Sequence, residues 1–161
     1  MERLVHNRFI ELLSLFCLLV FYSNPLSAKS NDTWCLAAAI YHEARGEEDG
    51  GKVAVAWVII NRANKHRTSI CKIVHARSQF SKHLRYNTRI DYKSKLWNDI
   101  YVISYNMRYS NPEVEDFTNN STYYHAIYMK NPPHWSKVLE QTLVIGKHVF
   151  YKENRNVKVF R

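Results

Sequence analysis

The heptapeptide YHEARGE, Tyr41–Glu47, closes the apolar run LAAAI and sets two carboxylates, Glu43 and Glu47, four residues apart. Residues four apart share a helical face, so the two acids stand together if the helix runs that far. A zinc peptidase helix reads H-E-x-x-H, because histidines at that spacing can both reach one metal. Here the position four after His42 is Gly46, which removes the second ligand and offers a helix stop. With LAAAI before it and a second apolar stretch after it, Glu43 is expected to point into or along the core. There desolvation favours the protonated acid, which is what a general acid needs. The competing reading is a helix-end glutamate paired with Arg45 or Lys52.

Working outward, NDTWCLAAAIYHEARGE reads as a helix capped by Asp32 or Thr33 and stopping near Gly46. DGGKVAVAWVIINRANK reads as a second helix, apolar almost all round and therefore buried. A third fits SKLWNDIYVISYNMRYS, with Leu96, Ile100, Ile103 and Met107 at helical spacing. The last third changes character: STYYHAIYM and TLVIGKHVFY are rich in β-branched and aromatic residues. Gly146 and Lys147 between two apolar runs predict either a hairpin turn or a bulged strand. Helices followed by strands imply an α+β domain, a helical body with a small antiparallel sheet walling a cleft. With no repeat, no low-complexity segment and only four glycines and four prolines in the chain, neither a linker nor a second domain is expected.

The amino terminus points to export. Arg3 and Arg8 precede the apolar FIELLSLFCLLVFY, and SNPLSA offers Pro25 as a break and Ala28 as a small residue, so residues 1–28 are expected to be a secretory signal cut after Ala28. An uncleaved signal anchor is the alternative, since Leu26 is large for its position and Glu11 interrupts the apolar run. Residues 29–161 then form the working domain of 133 residues, with 21 basic and 12 acidic side chains, a balance of +9. An exported basic domain is drawn to anionic polymers such as cell wall, whereas nucleic acid would suit a cytoplasmic one. The charges are scattered, so a generally solvated positive surface is the plainer reading. Cys17 lies in the leader, leaving Cys35 and Cys71 as the one pair available, and an oxidising compartment favours their disulfide over two free thiols.

Several motifs, taken together, resemble a known family. C-x4-I-Y-x-E-A-R-G-E, then VAVAWVIINR, CKIV, QFS, TYYHA, PPHW and IGKHVFY occur in the order and spacing of the SleB-type cell wall hydrolases, the group of spore cortex-lytic enzymes and related phage and bacterial lysins. The resemblance covers about residue 34 to residue 151. It implies a lysozyme-like domain that cleaves peptidoglycan glycan strands after N-acetylmuramic acid, typically as a lytic transglycosylase without metal or cofactor. Glu43, the first acid of E-A-R-G-E, takes the place of the family's acid/base. Glu47 is expected to support the site, bonding loop amides or basic neighbours such as Arg62, although its spacing from Glu43 also admits a two-carboxylate hydrolase. Gln79, Tyr124, His125 and Trp135 match positions in QFS, TYYHA and PPHW, and their groups suit bonding and stacking on sugars.

The chain departs from the family where many relatives carry D-P-T-G-G-A. It reads DFTNNS, with Asn119 and Asn120 where glycines would stand, and asparagine is the next-best residue for positive φ. Three other readings stay beside the glycan lyase. They are muramidase- or amidase-type hydrolysis, a non-catalytic wall-binding module, and a zinc peptidase recruiting His42 and His125. The expected partner is peptidoglycan, with no nucleic acid, membrane contact only through an uncleaved leader, and a monomeric domain. The expected location is the periplasm or the extracellular wall, in a bacterium remodelling its own wall or a phage escaping it.

Overall fold

The computed structural model describes residues 25–76, 90–109 and 115–154. The chain divides into two compact units, Met1–Ser30 and Asn31–Arg161, and the site lies wholly within the second. Most of the expected leader, residues 1–24, lies outside the described residues.

Among the described residues, four α-helices precede three strands: α1 Pro25–Ala44, α2 Asp49–Lys65, α3 Ile70–His75, α4 Lys95–Tyr109, then β1 Tyr123–Ala126, β2 Glu140–Ile145 and β3 His148–Lys152. A short 3-10 helix, His134–Lys137, stands between β1 and β2. The α+β expectation holds, with a helical body and a three-stranded antiparallel sheet in the order β1-β3-β2. Among the described residues no helix is long and apolar enough to cross a membrane.

α1 and α2 form the centre because their sequences leave little polar surface. Leu36, Ala37, Ala38, Ala39 and Ile40 of α1 are fully buried, as are Ala54, Val55, Ala56, Val58 and Ile59 of α2. The alanines and branched residues of both helices belong to one close-packed hydrophobic core. α2 has the bounds expected from its pattern. α1 does not, because the helix already runs from Pro25, so Asp32 and Thr33 lie inside it and not at its cap. The Asp32 carboxylate accepts the Cys71 amide at 3.0 Å and meets Arg108 at 3.6 Å, tying α1 to α3 and α4. The Cys35–Cys71 disulfide, with its Cα atoms 5.2 Å apart, repeats the α1–α3 link covalently.

α3 has no expected counterpart, being six residues too short to show a period; its Ser69 cap accepts the Lys72 amide at 3.2 Å. α4 is a helix as read, but its inward face is turned. Trp97, Ile100 and Ser104 are buried, while Leu96 and Met107 only flank the core. Ser104 can face inward because its hydroxyl donates to the Ile100 carbonyl at 2.9 Å and so leaves no polar group unpaired.

The sheet answers the hairpin-or-bulge question with both. Gly146 and Lys147 make the β2–β3 turn, and the register slips between Gln141 and Leu143, leaving Thr142 as an extra residue in β2. Gly146 has φ +57°, a conformation costly for any residue with a β-carbon. Before β1, Asn119 and Asn120 adopt φ +55° and +59°, so the asparagines hold the left-handed turn that glycine would otherwise make. Asp116 closes that turn, accepting from the Thr118 amide at 2.9 Å and the Asn120 amide at 3.0 Å. Asn61 of α2 donates to Asp116 at 2.8 Å and to the Ser121 carbonyl at 3.1 Å, while Arg62 donates to the Thr122 carbonyl at 2.6 Å. The asparagine and arginine that end VAVAWVIINR therefore fix where β1 begins.

Candidate active site

Strand alternation sorts the aromatic carboxyl-terminal third into two faces. On one, Tyr124 stands opposite Phe150 and Leu143, and Ala126 opposite His148 and Ile145. Tyr124, Phe150, Leu143 and Ile145 pack on the helical core, so this face meets α1 and α2. On the other, Tyr123, His125 and Tyr151 gather around Trp135 from the 3-10 helix, with ring centroids 5.2, 5.8 and 5.5 Å from the indole.

Glu43 lies in the last turn of α1, half-buried at the edge of the core. The Tyr124 hydroxyl donates to its Oε2 at 3.3 Å, joining residues 81 apart in sequence. Burial first, and the Glu43 charge second, push the Tyr124 phenol well above its usual range. The phenol therefore stays protonated and faces the carboxylate as a donor. Of the two cations weighed as ordinary partners for Glu43, Lys52 pairs with Asp49 at 2.9 Å and Arg45 lies over the Tyr41 ring at 5.5 Å.

Glu47 follows the end of α1 and turns toward the β2–β3 hairpin. Its side chain is only 6% exposed. Oε2 accepts the Lys147 amide at 2.9 Å, and Oε1 lies 3.9 Å from His148 Nδ1. Two glycines make the room. A β-carbon at Gly51 would lie 2.9 Å from the Glu47 β-carbon, and one at Gly146 would overlap the carboxylate itself. The expected bond to a loop amide is present, whereas Arg62 is directed to β1.

His148 joins the two acids and was not singled out from sequence. It is buried, edge-on to Tyr124 at 5.2 Å and against Phe150 at 6.2 Å, and its Nδ1 has no hydrogen bond. Burial lowers its pKa from 6.5, with His125 and Lys147 adding to the fall and Glu47 and Glu43 opposing it. A neutral imidazole is thus wedged between the Glu47 clamp and the Tyr124 ring. The available signal was period two: from the Gly146 turn, His148 and Phe150 fall on the same face.

The remaining site candidates separate. His125 and Trp135 come together on the face opposite Tyr124, where His125 Nδ1 meets the Ala126 carbonyl at 2.9 Å and Nε2 the Tyr151 hydroxyl at 3.0 Å. The carbonyl can only accept, so Nδ1 carries the proton and Nε2 is left for the phenol. Gln79 lies outside the described residues. The structure thus brings Glu43, Glu47 and Tyr124 together, adds His148, and gathers His125 and Trp135 elsewhere.

A family model described as cell wall hydrolase matches residues 46–151, beginning three residues after Glu43. No curated protein sequence matches the chain significantly. Two solved structures are similar. The catalytic domain of the Bacillus cereus SleB protein shares 27% identity with a TM-score of 0.59 over 76% of this chain and 91% of that one. The catalytic domain of a germination-specific lytic transglycosylase, SleB from Bacillus anthracis, shares 27% identity at 0.59 over 76% of this chain and 94% of that one.

Proposed function

The chain belongs to the cell wall hydrolase family, and from that premise we propose that it cuts the glycan strand of peptidoglycan after N-acetylmuramic acid as a lytic transglycosylase, with Glu43 as the only acid and base. The observation that carries this reading is the bond from the partly buried Tyr124 phenol to Glu43 Oε2. It fixes a half-buried carboxyl against the sheet. Glu43 protonates the glycosidic oxygen, the bond to the muramoyl carbon breaks, and positive charge develops on that sugar. The muramoyl 6-hydroxyl then attacks, and Glu43 takes its proton back. Acid and base are one residue used twice, and no water enters.

Glu47 serves this reading as support. A carboxylate held by a hairpin amide and only 6% exposed is poorly placed to activate water. That one of the similar structures is itself described as a lytic transglycosylase supports the same choice. Export fits as well, since cell wall hydrolases act outside the cytoplasm and the Cys35–Cys71 bond is consistent with an oxidising compartment.

Mass analysis of fragments released from purified sacculi tests the proposal. The expected ends are 1,6-anhydro-muramoyl, lighter by one water than hydrolysed ends and inert to borohydride. Reducible muramic ends would overturn the transglycosylase and leave a muramidase.

A further inference from the structure

β1 leads from the site to an exposed turn. Past Ala126 the chain reverses over Ile127, Tyr128 and Met129. The Ile127 amide donates to the Lys147 carbonyl at 2.9 Å and the Met129 amide to the Ala126 carbonyl at 3.1 Å. One backbone bond ties this turn to the β2–β3 hairpin and the other closes the turn on itself, so its outward shape is set. What it presents is apolar: Tyr128 is 73% exposed, Ile127 51% and Met129 42%. Exposed Lys130 follows, and exposed Lys147 stands on the adjoining hairpin turn. Neither lysine is ion-paired among the described residues. Three consecutive exposed apolar residues on a fixed turn are a feature of binding surfaces, because solvent-facing turns are otherwise polar.

Continuity decides the occupant. The hairpin turn that holds Ile127 is the one whose Lys147 amide is gripped by Glu47, and Tyr128 is four residues from Tyr124, at most about 13 Å along the chain. A polymer cut at Glu43 must extend past the cut, and this turn lies within its reach. We propose that the Ile127–Lys130 turn is a second contact for the peptidoglycan strand, one that rests on the functional reading above. In it the Tyr128 ring stacks on a sugar face, and Lys130 and Lys147 meet the carboxylates of the stem peptides. The amphipathic tyrosine suits a pyranose, which has an apolar face and a polar rim. The lysines suit the acidic peptides that such a strand carries.

Pelleting of the full-length Glu43→Gln protein with purified sacculi tests this without turnover, so an error in the cleavage mechanism leaves the measurement intact. In that background Tyr128→Ser should weaken binding about tenfold at both low and high salt. Lys130→Ala with Lys147→Ala should weaken it about fivefold at low salt and little at high salt, as screening predicts. Unchanged thermal midpoints would establish that the surface variants are folded. Tyr128→Ser protein that pellets like its parent contradicts the proposal. So does a loss confined to anionic lipid vesicles, which would make the turn a membrane contact. A parent that does not bind sacculi at all contradicts the peptidoglycan reading, and the proposal falls with it.

Discussion

Removing the Tyr124 hydroxyl isolates the bond that orients Glu43. Tyr124→Phe keeps the ring against His148 and Phe150 and deletes only the donor. Glycan cleavage should fall about tenfold, the equivalent of one hydrogen bond to a charged group, with stability changed by less than about 1 kcal/mol. Equal rates for Tyr124→Phe and wild type would remove the hydroxyl from the account. His148 makes a pH prediction. Its folded pKa lies below 6.5. Above that value both folded and unfolded chains hold it neutral. As pH falls, the unfolded chain takes the proton first, so His148 lowers stability progressively until the folded state also protonates. His148→Phe should therefore flatten the decline in thermal midpoint between about pH 7.5 and 5, and an unchanged slope would refute the buried neutral imidazole. At this scale YHEARGE alone offered Glu43 and Glu47 as candidates, and their proposed roles came from the resemblance carried by the whole series of motifs. That Tyr124, 81 residues on, meets Glu43 was not legible, because a contact of that range depends on how the sheet docks on the helices.

The β2–β3 hairpin shows what elements contribute. Gly146 serves both backbone and packing there, since its φ of +57° disfavours a β-carbon and the space such a carbon would fill holds the Glu47 carboxylate. Gly146→Ala should destabilise the fold by at least about 1–2 kcal/mol and also reduce activity by shifting the turn that sits beside the site. A denaturant midpoint equal to wild type would mean that Glu47 moves aside at no cost. Elements with strong periods were readable in advance. α2 is apolar on every side and long, and the hairpin is marked by a glycine between β-branched runs. The start of α1 and the inward face of α4 were not readable. Asp32 looks like a cap but is used as a bridge to α3 and α4, and Ser104 satisfies itself within its own helix. α3 is too short for a pattern and is set by its cap and by the disulfide.

Across the whole molecule, a helical body carries Glu43, the proposed acid, and a small sheet carries the Tyr124 hydroxyl that bonds it. Asn61 and Arg62 of α2 set where the sheet begins, and Glu47 grips where its hairpin turns. Glu43 lies between these two attachments. The α+β class was legible because the chain changes from helical to strand composition once. Which of the two aromatic faces meets the helices was not, because it depends on how the sheet docks on the helical body. The central claim is that one carboxylate carries the acid–base chemistry while the other holds the frame. The most direct test is the rate of soluble muropeptide release from purified sacculi by wild type, Glu43→Gln and Glu47→Gln, each shown to be folded. Glu43→Gln should lose at least about a hundredfold, since an amide keeps the shape but delivers no proton, and Glu47→Gln should lose less than about tenfold, since its amide oxygen can still accept from Lys147. Equal and near-complete loss in both variants would contradict the account and assign the two glutamates to a shared hydrolytic pair.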